Sequence, residues 1–120
     1  MTVLLIAVGA ALGAPLRYLT DRAVQARHDS VFPWGTLAVN VAGSLLLGAV
    51  LAVPAGPAVT ALVGTGFCGA LTTWSTFGYE TLQLARSGAR RHALANVLAS
   101  VLAGLAAASL GYAVVRALTG

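Results

Sequence analysis

The side chains in this sequence that could do chemistry are mostly neutral hydrogen-bond donors. Thr36, Asn40, Thr72, Thr73, Ser75, Thr76, Asn96 and Ser100 fall inside long apolar stretches, and Arg17 stands near the end of another. Amide N–H and hydroxyl groups replace the water around a small anion without adding fixed charge that would trap it. Ring edges are electropositive as well, and Trp74 and Phe77, three residues apart, occupy neighbouring positions on one helical face. The same spacing suits ordinary packing, and Asn40 equally suits an interhelical hydrogen bond worth about 1 kcal/mol. Arg17 reads either as a group that attracts an anion or as an arginine that snorkels from a helix end. Glu80 is the one acid in or near an apolar stretch, placed to pair with an arginine or to cap a vestibule. No catalytic set is visible, and His28 and His92 sit beside arginines in polar stretches, as solvated residues do.

The elements that must position these donors belong to a membrane protein. Of 120 residues, 58% are hydrophobic and 8% charged, with mean hydropathy +0.88. Soluble domains carry roughly 25% charge, so too little polar surface remains here to solvate a globule. A soluble enzyme, a disordered chain and a nucleic-acid binder are excluded on this ground. The isoelectric point near 10.3 does not reverse that, because the seven Arg are scattered rather than gathered in a basic patch. Met1–Thr2 lacks a positive leader, and no cleavage site precedes the next apolar block, so the first segment reads as a retained span. The single Cys68 excludes an intrachain disulfide and reads as a small buried apolar residue.

A spanning helix needs about 20 mostly apolar residues, and four stretches qualify: 3–19, 36–53, 58–85 and 93–118. Polar residues from Thr20 to Ser30, including Asp21, Arg22, Arg27, His28 and Asp29, predict the first loop. Pro33-Trp34-Gly35 reads as an interfacial turn and helix start, Pro54 to Pro57 as a tight connection, and Arg86 to His92 as a basic loop. Gly9-xxx-Gly13, Ser100-xxx-Gly104 and Ala107-xxx-Gly111 are small-residue faces that let helices approach closely in lipid. Residues 1–120 thus form one all-α transmembrane domain.

The third span differs from the others. From Gly64 to Gly78 it holds Gly64, Gly66, Gly69 and Gly78 with Thr72, Thr73, Ser75 and Thr76 in mid-membrane. A helix interrupted at the midplane is a recurring device for ion sites, because freed carbonyls and helix ends then face the ion. A continuous, flexible helix whose hydroxyls bond back to the preceding turn is the alternative. Polar residues in the membrane also need a protein partner to avoid hydrocarbon, and that need alone predicts a dimer.

Two stretches carry a resemblance. Gly35-Thr36-Leu-Ala-Val-Asn40-Val-Ala-Gly43-Ser44 and Gly66-Phe-Cys-Gly69-Ala-Leu-Thr72-Thr73-Trp74-Ser75-Thr76-Phe77 resemble the signatures of the CrcB-type (Fluc) fluoride channel family. Gly9 to Tyr18 and Asn96-xxx-Ser100 are similar to that family's first and fourth helices. The resemblance implies four helices per subunit, the third broken, in an antiparallel dual-topology dimer with two fluoride pores in the plasma membrane. It implies a structural sodium ion at the dimer centre, held by the carbonyls of Gly69 and Thr72. It implies that Trp74 and Phe77 line the pore, that Asn40 donates to fluoride, that Ser100 belongs to a polar track with Asn96 beside it, and that Arg17 stands at the vestibule; Thr36 joins the pore donors.

Two departures qualify the match. Trp74 stands where the family's TTFSTF stretch has phenylalanine; indole keeps an electropositive edge, adds an N–H and brings bulk. The arginines of loops one and three, Arg22, Arg27, Arg86, Arg90 and Arg91, share one side, with Arg116 alone opposite. The positive-inside rule then predicts one orientation, both termini outside, and pairing with itself or with an oppositely inserted homologue. Two rival functions are a small multidrug antiporter, which needs a membrane carboxylate that the first span lacks, and a non-transporting assembly subunit, which gives donors and aromatics no reason to gather at a broken helix.

Overall fold

The computed structural model describes residues 1–28, 32–53 and 56–119. Among these residues every regular element is helical: α1 (Thr2–Ala26), α2 (Trp34–Ala52), α3 (Pro57–Val59), a π-helical stretch (Thr60–Cys68), α4 (Gly69–Leu71), α5 (Ser75–Arg86) and α6 (Arg90–Thr119). Three of them, α1, α2 and α6, are long and apolar enough to cross a membrane. The bundle measures 47 × 30 × 22 Å, against about 40–45 Å for a bilayer with its headgroups.

Helix ends depart from the sequence-based boundaries in one consistent way. α1 continues seven residues past 19, through Asp21 and Arg22 to Ala26, where a loop is expected. Arg22 Nη1 donates to Tyr18 Oη one turn earlier, at 3.1 Å. Likewise α6 begins at Arg90, not 93, and Arg86 closes α5. Hydropathy marks where apolar side chains stop, whereas a helix stops where its backbone bonds stop, and Arg, Ala and Gln carry a helix on into the polar region. Asp29, Ser30, Pro54 and Ala55 lie outside the described residues; Gly56 follows with φ +90°, before Pro57 opens the next helix.

α2 lies at the centre, between α1 and α6, while α1 packs along the π-helical stretch. Glycines set these approaches. A methyl at Gly9 would overlap the Leu62 carbonyl and come within 2.7 Å of Phe67 N, and one at Gly111 would overlap the Leu45 carbonyl of α2. The Gly9-xxx-Gly13 and Ala107-xxx-Gly111 faces therefore are packing seams, with Gly9, Gly13, Ala107 and Gly111 all buried. Large apolar side chains such as Leu4, Leu12, Leu51, Leu102 and Leu105 cover the outside, each at least 60% exposed. That is the surface of a chain meant for lipid rather than water.

The third segment is broken. Its first half ends at Leu71, Thr72 turns extended at φ −79°, ψ 159°, and helix resumes at Ser75. Upstream of the break, Thr60–Cys68 is wound as π-helix, a widened form that is uncommon and concentrates at functional sites.

A polar groove at the break in the third segment

A break in a helix leaves backbone groups without their usual partners, so the first question is what satisfies them. Asn40, one turn and a half into α2, faces the break. Its Nδ2 donates to the Thr73 carbonyl at 3.0 Å and its Oδ1 accepts from the Thr73 N–H at 2.7 Å. This two-way clamp replaces the helix bonds that Thr73 gives up. Thr73 in turn caps α5, its Oγ1 accepting from the Thr76 N–H at 3.2 Å, the arrangement by which hydroxyls start helices. Thr72 bonds back to Cys68 O through both its N–H, at 2.9 Å, and its hydroxyl, at 2.8 Å.

Two sets of backbone groups stay open. Among the described residues no N–H or O–H donates to the carbonyls of Gly69, Ala70, Leu71 or Thr72, and no acceptor meets the N–H of Trp74, Ser75 or Phe77. The end of α4 thus presents bare oxygens and the start of α5 bare donors. These are the negative and positive ends of helix dipoles, and an open backbone group kept from water costs several kcal/mol unless something binds it.

A groove of about 290 Å³ runs along this break, and Asn40, Gly69, Thr72, Trp74, Phe77 and Ser100 all border it. Phe77 is buried at 7% exposure while Trp74 is 79% exposed, and their ring centroids lie 5.3 Å apart, tilted by 40°. Ser44, one turn after Asn40 on the same face of α2, lines the groove too. Asn96 is not on the groove wall; it is fully buried and ties α6 to α5. Its Nδ2 donates to Thr81 Oγ1 at 2.8 Å, its Oδ1 accepts from the Ser100 hydroxyl at 3.3 Å, and Thr81 Oγ1 donates onward to Phe77 O at 2.8 Å.

Thr36 and Arg17 stand apart, on a second pocket of about 180 Å³ that also touches Asp21, Thr73 and Thr76. Thr73 borders both spaces. The Thr36 hydroxyl, 2% exposed, donates to Glu80 Oε1. Glu80 therefore has a hydroxyl as its partner, rather than the arginine or open vestibule that its place in the sequence suggests. Asp21 sits against the backbone of Gly35, where any side chain would run into its carboxylate, and an acid at the start of α2 suits the helix dipole. Arg17 is half-buried.

The sequence reading misses Thr81, Ser44 and Asp21. Thr81 and Ser44 fall four residues after Phe77 and Asn40, so helical spacing was the available signal. Asp21 was hidden by its assignment to a loop.

Residues 4–112 match the family model described as "CrcB-like protein, Camphor Resistance (CrcB)". The chain belongs to the CrcB family. The CrcB match takes in every residue of the groove and of the second pocket named above, from Arg17 to Ser100. Among similar proteins, "Fluoride-specific ion channel FluC 1" of Frankia casuarinae is 62% identical over 100% of both chains. The protein of that name from Streptomyces avermitilis is 59% identical over 92% of this chain and 93% of its own. The one from Thermobifida fusca is 54% identical over 96% of each. For a CrcB protein, the broken third segment is thus the part of this chain that its donors surround.

Proposed function

We propose that this protein is a fluoride-selective channel that lets fluoride leave the cell passively across the plasma membrane and so prevents its toxicity. The groove carries the reading. Neutral donors and ring edges border it, the bare N–H groups of α5 start beside it, and no acidic side chain lines it. Such a wall favours a small anion without trapping it. The names of the full-length relatives support the choice of fluoride.

In this reading the chain crosses the membrane four times, with 57–86 as the broken third crossing. It pairs antiparallel, in dual topology, with a second copy or with an oppositely inserted homologue. A partner is needed because Ser75, Thr76 and the Trp74 ring are exposed in the single chain, where hydrocarbon would otherwise meet them. The open carbonyls of Gly69 and Thr72 fit a small hard cation, since oxygens with no donor are what such an ion requires. Sodium bound there, at the dimer centre, would neutralise them and pin the two copies together.

Asn40 keeps one amide N–H beyond its bond to Thr73, and this hydrogen faces fluoride as the anion sheds water. The ring edges of Trp74 and Phe77 take over part of the hydration. Ser100 rotates its hydroxyl from Asn96 to the anion, and Asn96 holds the track in place. Arg17 and Thr36 serve the vestibule, Arg17 by raising the local concentration of anions. Passive flow suffices because HF that enters from an acidic exterior dissociates in a near-neutral cytoplasm, leaving fluoride to run down its own gradient. Fluoride efflux from liposomes holding the purified chain tests the proposal: efflux under sodium is expected, and an intact dimer that passes no fluoride would overturn it.

A further inference from the structure

Three arginines crowd the turn between α5 and α6. Arg86 closes α5, Gly88 reverses the chain at φ +90°, and Arg90 and Arg91 open α6. The turn holds itself, with the N–H groups of Ser87, Gly88 and Ala89 donating to Gln83 O, Ala85 O and Leu84 O at 3.0, 3.4 and 2.9 Å. The guanidinium groups take no part in that bonding. Among the described residues none of the three arginines meets a carboxylate: Glu80 is bound to Thr36, Asp21 sits against Gly35, and the first turn of α6 holds no acid. Like charges so close in sequence repel one another, and nothing in the chain offsets them. Arg90 and Arg91 instead wall an open hollow of about 590 Å³ together with Ser87 and His92, all of them exposed. Gln25 of α1 and Ser87 line one crevice, so Arg27, just past α1, adds positive charge at the same end.

From Arg91 onward, α6 turns an apolar stripe outward. Leu94, Leu98, Leu102 and Leu105 follow Arg91 at steps of three and four, hence on one face, and each is more than half exposed. The opposite face carries the buried Ala93, Asn96, Ala107 and Gly111, with Ser100 on the groove wall. The stripe therefore looks away from the rest of the chain, and away from the groove that a second copy would cover. From Arg91 to Leu105 it runs about 21 Å, longer than the roughly 15 Å of hydrocarbon in one leaflet.

We propose that this outer face of α6 is a binding site for an acidic phospholipid, its headgroup in the hollow against Arg90 and Arg91 and its acyl chains along the leucine stripe. The planar guanidinium fork matches the oxygens of a phosphate, and a headgroup with net negative charge supplies the counter-charge that the turn lacks. Free phosphate would meet the arginines and leave the stripe bare. Cations stacked above leucines on one helix face suit a ligand with both a charge and a tail. The site requires that the chain lie in a membrane and does not depend on which ion it passes. In an antiparallel pair the two copies would place one such site in each leaflet.

Native mass spectrometry of the purified, delipidated protein counts the lipids that it binds. Phosphatidylglycerol is expected to bind saturably, and more tightly than phosphatidylcholine with the same acyl chains. Arg90→Gln or Arg91→Gln, both at exposed positions that leave the core untouched, should each weaken phosphatidylglycerol about fivefold, the worth of one cation beside an anionic headgroup. Neither should change phosphatidylcholine. Arg116→Gln, near the other end of α6, should leave both lipids as they were, and excess inorganic phosphate at constant ionic strength should not displace phosphatidylglycerol. Equal binding of the two lipids would overturn the site, as would phosphatidylglycerol binding that ignores Arg90→Gln and Arg91→Gln or falls equally in Arg116→Gln. Displacement by inorganic phosphate would overturn the lipid as its ligand.

Discussion

Asn40 and Thr73, 33 positions apart, exchange two hydrogen bonds, amide to carbonyl and N–H to amide oxygen, at 3.0 and 2.7 Å. One side chain of α2 thereby takes the place of the helical turn missing from the third segment, and the donor it leaves over points the same residue at the groove. In the proposed channel, a single amide would join positioning and recognition. Asn40→Ala orphans both backbone groups of Thr73, at about 1–3 kcal/mol for each buried group left without a partner. It should lower the thermal unfolding midpoint and abolish fluoride efflux together. Asn40→Asp keeps the acceptor for the Thr73 N–H, so it should unfold closer to the parent while still failing to conduct. Unfolding of Asn40→Ala at the parental temperature would refute the clamp.

Phe77 backs the Trp74 ring and closes one wall of the groove. Phe77→Ile keeps an apolar side chain of comparable bulk, and such exchanges in a core cost less than about 1.5 kcal/mol. The dimer should survive it, as read by size-exclusion chromatography, while liposome efflux is lost because isoleucine has no electropositive edge. Unchanged efflux would remove Phe77 from the pathway.

The α2–α6 seam makes a sharper test of packing. A methyl at Gly111 overlaps the Leu45 carbonyl, whereas one at Gly104, two turns earlier on the same helix, finds only Ser44 Oγ at 3.7 Å. Overpacking of this kind costs about 1–3 kcal/mol, so Gly111→Ala should unfold at a clearly lower temperature in detergent and Gly104→Ala should not. Equal midpoints for the two would show that α6 does not meet α2 where the seam places it.

The open carbonyls at the end of α4 predict a dependence on sodium. A ligand that binds only the folded state stabilises it by mass action. If sodium binds there as proposed, exchange of sodium for potassium at equal ionic strength should lower the unfolding midpoint and slow efflux, the larger cation fitting the same oxygens less well. Identical midpoints in the two salts would leave Gly69 and Thr72 without a metal role.

The break was legible because its composition is foreign to a membrane helix: Thr72, Thr73, Ser75 and Thr76 sit among glycines where leucines belong. The helix ends were not, because Thr20 to Ala26 are polar enough to leave lipid and still good enough helix formers to continue α1. Pairings across the fold were the least accessible. Thr36 finds Glu80 across 44 positions and Asn96 finds Thr81 across 15. A hydroxyl or amide states what it can bond, but which partner it meets depends on how the glycine seams set the helices side by side.

Those seams also bear on how the protein sits in the membrane. With α1 and α6 lengthened, Arg22 lies in the C-terminal part of α1 and Arg27 just past its end, and Arg86, Arg90 and Arg91 cluster where α5 meets α6. In a four-crossing chain both groups share one side, and Arg116, near the end of α6, stands on the other. Cytoplasmic loops retain arginine and lysine, so the chain should insert with this cluster inside and both termini outside. A dimer of antiparallel copies then needs a partner inserted the other way. Cysteine tags at the two termini, in a Cys68→Ala background, should react with an impermeant maleimide from outside the cell and hardly from inside. Equal labelling from both faces would mean that the chain supplies both orientations itself and pairs with its own copy.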